Sequence, residues 1–242
     1  MNLTANSVME TRAWDVAVRA LGAGFFGFLA ALVLASVITT GWEHGVSVSA
    51  LGAAATLVAQ ASLFVLLLVE ASLILLRPPA VAKATGIQPR VSAFLGTWLM
   101  GLIVLFPVRS DLPPIWFVVS AVLGIVSNLL VFLALRHLGR SFSVMAEARG
   151  LIVSGPYTVV RHPIYLAEEI GLASAVITHF SAWALVLLAI QFGFQIVRTG
   201  NEEGVLSQAF PKYAAYREQV PRLVPGALLL TRLARRIARM RA

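Results

Sequence analysis

The sequence predicts an all-α, polytopic membrane helix bundle of about six membrane segments, the last two forming a helical hairpin, with a polar lobe on the cytoplasmic face. Three observations predict it. Of 242 residues, 59% are hydrophobic and only 12% charged, and mean hydropathy is +0.85. A soluble domain carries about 25% charged residues, so this chain has too few to solvate an all-helical surface. Apolar runs of spanning length recur along the chain, and Lys and Arg are confined to alternate connecting segments. A soluble enzyme, a disordered chain and a disulfide scaffold are excluded. The absence of cysteine removes thiolate metal sites and a cysteine nucleophile, and no metal-ligating constellation is expected.

A spanning helix needs about 20 apolar residues. Ala20–Ile38 is the first run, read as a retained span because Glu10 and Asp15 break the basic flank a signal peptide requires. Ala50–Leu76 is the second, interrupted by Gln60 and Glu70. Val91–Val108 is the third, and Ile115–Leu135, opened by Asp111-Leu112-Pro113-Pro114, is the fourth. Ile164–Val197 is 34 residues long; as one helix it would measure about 51 Å, too long for an upright span. Thr178-His179-Phe180-Ser181 in its middle therefore predicts a turn between two limbs.

The distribution of basic residues supports this division. With a hairpin, 18 of the 19 Lys and Arg lie on one side and only Arg109 on the other. A single fifth span would put the nine basic residues of the C-terminal segment outside, against the positive-inside rule. Both termini are thus expected in the cytoplasm. Three regions follow: a four-span membrane region over 1–135, a polar-plus-hairpin region over 136–225, and a basic tail over 226–242. In the tail, Leu229, Leu230, Leu233, Ile237 and Met240 recur at helical spacing among five arginines, as in a helix lying on an anionic leaflet. A nucleic-acid arm is the alternative for such a tail, but nothing else in the chain reads bases, so no nucleic-acid partner is expected.

Two polar pieces flank the hairpin. The first holds Gly155-Pro156-Tyr157 and Arg161-His162-Pro163-Ile164-Tyr165; the second holds Arg198, Glu202, Glu203, Tyr213, Tyr216 and Val220-Pro221. Gly155-Pro156 predicts a turn whose backbone can approach a ligand. Pro163 suits the first turn of a helix, which would place Arg161, His162 and Tyr165 at a helix N-terminus, where a carboxylate or phosphate is favoured. Glu202 and Glu203 add the opposite charge, and Arg198 and Glu202 are spaced to share a helix face. Both signs at a membrane surface suit a zwitterionic cofactor and an anionic acceptor. Blander readings stand beside each: a juxtamembrane anchor for Arg161-His162-Pro163, a surface ion pair for Arg198 and Glu202, and interfacial belt residues for Tyr213 and Tyr216. Glu70, Glu168 and Glu169 lie in or beside apolar runs, where carboxylates are functional by default, although the latter two could sit at the headgroup level. His44 and His179 fall on the outer face as bystanders.

Together these words resemble the isoprenylcysteine carboxyl methyltransferase family and the related phospholipid methyltransferases, over roughly Leu138–Pro225. The matching words are Gly155-Pro156-Tyr157, Arg161-His162-Pro163-x-Tyr165, Arg198-x-x-x-Glu202-Glu203, and Phe210 through Tyr213-x-x-Tyr216 to Val220-Pro221. The resemblance implies an integral-membrane methyltransferase that uses S-adenosylmethionine, held in the cytoplasmic lobe. It implies cofactor contacts from Leu151, Ile152, Tyr157, His162, Pro163, Ile164, Tyr165 and Glu202. It implies Arg198 as the residue that holds the acceptor carboxylate. The acceptor is lipophilic and enters from the bilayer among membrane lipids, an isoprenylcysteine-type carboxylate being the leading expectation. A phospholipid amine is the alternative, and then Glu203 or Glu169 would be the base. Two positions depart from the pattern: Arg149 stands where eukaryotic members carry histidine, and Ala167-Glu168-Glu169 replaces a usual glycine. The rival readings are an NADPH-dependent sterol-reductase-like enzyme and a non-enzymatic scaffold or transporter.

Overall fold

The computed structural model describes residues 5–43, 50–109 and 111–226. The chain forms helices α1 (Ala5–Glu43), α2 (Ala50–Leu76), α3 (Gln88–Trp98), α4 (Pro114–Leu138), α5 (Pro163–Thr178), α6 (Ala182–Ala209) and α7 (Tyr213–Gln219). Short 3₁₀ turns cover Leu99–Leu105, Gly139–Ser141 and Gly155–Thr158. One exception to the all-α expectation is a two-stranded antiparallel ladder, β1 (Ala82–Lys83) with β2 (Glu147–Ala148), which pairs Ala82 with Ala148 and Lys83 with Glu147. The basic tail and His44 lie outside the described residues.

Among the described residues, four helices are long and apolar enough to cross a membrane: Asp15–Ile38, Ala54–Leu76, Pro114–Ser141 and Ala182–Ala209. Their outer faces carry exposed Leu21, Phe28, Leu32, Val58, Leu75, Ile115, Leu129 and Ile190, a surface only lipid accepts. The other two of the six expected segments are shorter. The third run is α-helical only to Trp98 and continues as 3₁₀ turns to Leu105. Pro107 accounts for the ending, because the residue before a proline is driven out of the helical region, and Phe106 is extended (φ −92°, ψ 142°). α5 has 16 residues, about 24 Å.

The expected turn is present: α5 ends at Thr178, and Ser181 caps α6 by accepting a hydrogen bond from the Ala184 amide at 3.1 Å. The two limbs, however, pack less against each other than against flanking helices. α4 lies along α5, α3 along α6, α2 on α4 and α1 on α2. Small and polar residues make the close approaches, as expected where water offers no alternative partner. Ser127 Oγ donates to the Ala167 carbonyl at 2.7 Å and Ser120 Oγ to the Ser174 carbonyl at 2.8 Å. A Cβ on Gly171 would stand 2.6 Å from Ser127 Oγ. The close-approach glycine of α5 is therefore Gly171, and Ala167 packs beside it without exposure. On the other flank Gln191 Nε2 reaches the Gly96 carbonyl at 2.8 Å. The splay between α5 and α6 leaves space in the bundle.

Candidate functional site

The polar words of the sequence meet at the cytoplasm-expected end of α5 and α6. Pro163 opens α5 and His162 is its N-cap residue. The Arg161 amide donates to the Pro221 carbonyl at 2.8 Å and the His162 amide to the Arg222 carbonyl at 3.1 Å. Two words 60 residues apart in sequence are thus one paired segment. α6 presents Glu202 and Glu203 to it. Glu203 Oε1 accepts from His162 Nε2 at 3.2 Å and forms an ion pair with Arg161 Nη2 at 3.1 Å, and Arg222 grips both carboxylate oxygens at 3.1 and 2.9 Å. Glu202 lies 3.4 Å from His162 Nδ1 and accepts a hydrogen bond from the Tyr165 hydroxyl. The His162 and Tyr165 rings stack with centroids 5.4 Å apart.

Burial alone would drive the His162 pKa down. The hydrogen bonds to Glu202 and Glu203, and their charges, outweigh it and raise the value above that of an ordinary imidazole. An imidazolium bridging two carboxylates is a brace rather than a donor aimed outward. Arg161 is largely engaged too, Nη2 by Glu203 and Nη1 by the Arg217 carbonyl at 2.9 Å, with Nε left without a partner. The helix start therefore spends most of its donors on the protein itself, on Glu202, Glu203 and the Arg217 carbonyl.

Two cavities adjoin this brace. The first, a cleft of about 90 Å³, is lined by all eight residues expected around the cofactor: Leu151, Ile152, Tyr157, His162, Pro163, Ile164, Tyr165 and Glu202. Sequence reading left out Phe142, Arg149, Tyr213 and Tyr216, which also line it. Burial pushes the Tyr216 hydroxyl up to about 12, with the charges of Arg161 and Glu203 acting in opposite senses, and that hydroxyl donates to the Tyr157 carbonyl at 2.6 Å. Tyr213 and Tyr216, three apart, are edge-on rings on one face of α7; their helical spacing is the signal that sets them apart from belt residues. Three buried polar atoms in this lining have no hydrogen-bond partner: Arg149 Nη1, Arg161 Nε and the Tyr213 hydroxyl. Arg149 is otherwise fixed, with Nε on the Pro78 carbonyl at 2.8 Å and Nη2 on Glu147 at 2.6 Å.

The second cavity, about 680 Å³, lies between α2, α4, α5 and α6 and is walled mainly by apolar side chains. Arg198 lines it and lines no part of the cleft; Glu203 lines neither cavity. Arg198 is 2% exposed. It pairs with Glu168 at 3.8 Å rather than with Glu202, donates to Gln195 at 3.3 Å and to the Val144 carbonyl at 3.0 Å, and stacks over the Tyr165 ring at 4.3 Å. Phe142 lines both cavities. The Tyr165–Arg198 stack and Phe142 are consequently the partition between a polar cleft and an apolar chamber.

Gly155 has a close packing neighbour in this architecture. Its φ is +60°, and a Cβ there would stand 2.3 Å from the His137 ring. The close approach is to His137, on the last turn of α4. Gly155→Ala combines a strained backbone with that clash. The expected result is a loss of about 2–3 kcal/mol, read as a lowered Tm, with His137→Gly in the same chain restoring part of it; full stability in Gly155→Ala alone would refute the clash.

Residues 115–213 match the family model described as phospholipid methyltransferase. The chain is 32% identical over 78 residues to the cobalt-zinc-cadmium resistance protein CzcN of Cupriavidus metallidurans, an alignment covering 31% of this chain and 35% of that protein. It is 28% identical over 78 residues to the nickel-cobalt-cadmium resistance protein NccN of Alcaligenes xylosoxydans xylosoxydans, covering 31% and 36%. The chain spans about a third of the length of the curated relatives it matches. The matched stretch begins at the first turn of α4, a helix earlier than the motif resemblance, and runs to the first residue of α7. It takes in α4, the motif loops, α5 and α6, and with them most of the cleft and of the partition. Over residues 115–213 the chain is therefore similar to the phospholipid methyltransferase family.

Proposed function

We propose that this protein transfers a methyl group from S-adenosylmethionine, bound in the cytoplasmic cleft, to a lipophilic acceptor bound in the chamber. The observation that carries this reading is the shared wall: a polar cleft and an apolar chamber of about 680 Å³ meet at Phe142, Tyr165 and Arg198. A chamber of that size falls in the range of ligand sites, about 300–1,000 Å³. A water-soluble cofactor and a bilayer-borne acceptor need such a junction, each arriving from its own phase.

The cleft's chemistry fits the cofactor. Arg149 Nη1 and the Tyr213 hydroxyl are buried donors without partners, suited to a carboxylate. Glu202 offers a carboxylate to an ammonium or a ribose hydroxyl. Leu138, Leu151, Ile152 and Leu206 supply apolar wall. At about 90 Å³ the cleft is narrower than a nucleoside-sized ligand requires, so loading moves its lining outward. When bound, the cofactor supplies an electrophilic methyl on a sulfonium. The chain's own residues position rather than react, which can contribute several kcal/mol. Glu202 orders Tyr165, Tyr165 carries Arg198, and Phe142 keeps water out of the junction.

The cleft and the catalytic end of α5 and α6 face the cytoplasm in this reading, on the side where Lys and Arg accumulate. The acceptor's polar group is the finer question. An isoprenylcysteine-type carboxylate held by Arg198 would have to share a guanidinium already engaged by Glu168, Gln195 and the Val144 carbonyl. Metal resistance is named for the two relatives. Among the described residues no group of three or more His, Cys, Asp or Glu side chains could hold a metal ion, so the site gives no argument for carrying that property over.

Calorimetric titration of the detergent-purified protein with S-adenosylhomocysteine tests the reading. Saturable binding is expected, weakened about tenfold in Tyr165→Phe, which removes one hydrogen bond to a charged group. A folded protein that ignores S-adenosylhomocysteine and binds NADPH would transfer the assignment to a reductase.

A further inference from the structure

The apolar chamber has one charged feature that neither the family match nor the motifs use. Glu70 sits on α2, outside the matched region 115–213. It is 8% exposed and lines the chamber. Among the described residues it makes no hydrogen bond and no ion pair. The charges it senses are those of Glu168 and Arg198, both of which line the same chamber. Glu168 is occupied: Gln195 Nε2 donates to it at 2.8 Å and Arg198 pairs with it at 3.8 Å. Arg198 is occupied too, by Glu168, Gln195, Val144 and the Tyr165 ring.

The charge balance at this end of the chamber is thus two carboxyl groups against one guanidinium, and the carboxyl without a partner is Glu70. A buried carboxyl left without a hydrogen bond is costly, and intramembrane carboxylates persist where something pairs with them. The chamber also has a direction. Glu70, Glu168, Arg198, Phe142 and Val144 mark the end next to the cleft, whereas Thr56, Thr178 and His179 line the other. From Glu168 to Thr178 along α5 is about 15 Å, and from Glu70 to Thr56 along α2 about 21 Å. That is the length of a lipid chain with its head at Glu70 and its tail toward Thr178.

We propose that Glu70 is the specificity-determining residue of the chamber, and that it selects a single-chain amphiphile whose head is a protonated amine over one whose head is a carboxylate. An ammonium group docks on the unpartnered carboxyl and is repelled only by Arg198, whose charge Glu168 already offsets. A carboxylate head would face two acids and find the one arginine engaged. Glu70 here holds and orients the head; it is a binding residue supplied by the N-terminal helices to a region whose family match lies wholly C-terminal to it. As the methyl acceptor, an identity that rests on the function proposed above, the head would first pass its ammonium proton to the Glu70 carboxylate, freeing the nitrogen lone pair for the sulfonium methyl as S-adenosylhomocysteine leaves; the binding preference of the chamber does not depend on that step.

The test uses the full chain in nanodiscs of zwitterionic lipid and two photoreactive probes of equal chain length, a diazirine-bearing dodecylamine and the matching dodecanoate. Crosslinked sites are mapped by mass spectrometry. The amine probe is expected to label chamber-lining stretches of α2 and α5, with labelling displaced by unmodified dodecylamine at a concentration at least tenfold below that at which dodecanoate acts. Glu70→Gln is expected to abolish the difference between the two heads while the affinity for S-adenosylhomocysteine stays within about twofold of wild type. Equal or better labelling by the dodecanoate probe in the wild type overturns the proposal without any variant, so a misfolded Glu70→Gln cannot shelter it. An amine preference that survives in folded Glu70→Gln overturns it as well. Failure of S-adenosylhomocysteine to bind, with the amine preference intact and Glu70-dependent, would instead remove the methyltransferase reading and leave the chamber's selectivity standing.

Discussion

Glu203→Gln is expected to loosen the C-terminal lobe and to abolish high-affinity binding of S-adenosylhomocysteine, although Glu203 touches neither cavity. Its side chain is 5% exposed and faces three cations, with Arg161 and His162 almost as buried and Arg222 partly exposed. Removing the shared anion leaves positive charges close together away from water. Breaking a buried ion pair by removing one partner costs about 3–5 kcal/mol, on the order of a 10 °C fall in Tm for a chain of this size. The loss of binding follows because the same residues set the cleft: Arg161 and His162 line it, and the backbone pairing of 161–162 with 221–222 holds its floor. Retention of both Tm and affinity in Glu203→Gln would show the brace to be inert.

The brace also predicts a pH profile. The folded His162 pKa is raised, so protonation is favoured by folding. Its contribution is complete below the unfolded imidazole value of about 6.5 and is lost as pH rises through the raised folded value. His162 faces Glu202 and Glu203; Arg161 shares Glu203 Oε1 with it, and Arg222 contacts both Glu203 oxygens. Tm should therefore decline across that window in the wild type, and the decline should be smaller in Glu203→Gln, where one of the two carboxylates that raise the pKa is gone. The expectation that Glu203 acts as a base for an amine acceptor has no cavity to act in, for its oxygens are spent on cations.

Much of this arrangement was legible in the residues. The Thr178–Ser181 break and the helix start at Pro163 follow from local rules, helix length and proline at N1, whereas the grouping of the eight cleft residues follows only from the family resemblance. What was not legible depends on how helices splay. Nothing local states that α5 prefers α4 and α6 prefers α3, so the chamber between them, and the turning of Arg198 toward Glu168 instead of Glu202, could not be read from spacing. Gly155 was rightly singled out for its backbone, but its neighbour is His137, 18 positions upstream in sequence. The third run reads as a span by hydropathy, and only the position of Pro107 hints that its second half is not α-helical.

The partition offers the other large effect. Arg198→Met should cost about 3 kcal/mol, because it leaves the partly buried Glu168 near Glu70 with no cation and removes a guanidinium from the Tyr165 face, a contact worth up to about 2 kcal/mol when desolvated. Arg198→Lys should rescue little of this: an ammonium has no planar fork to meet Gln195 and the Val144 carbonyl together or to lie flat on a ring. Glu168→Gln alone should also destabilise, by stranding the arginine. Combined with Arg198→Met it removes both charges, so the double variant should be more stable than Arg198→Met, with a coupling energy of about 1–3 kcal/mol in a double-mutant cycle. The binding readouts should divide in the same variants. S-adenosylhomocysteine affinity is expected to fall only a few-fold in the double variant, since Arg198 does not line the cleft, whereas turnover should fall by about 100-fold or more, since the junction loses the residue that holds Tyr165 against the chamber. Strict additivity of the two substitutions in Tm, or unchanged turnover in the double variant, would mean that the Glu168–Arg198–Tyr165 chain is not the partition between the two cavities.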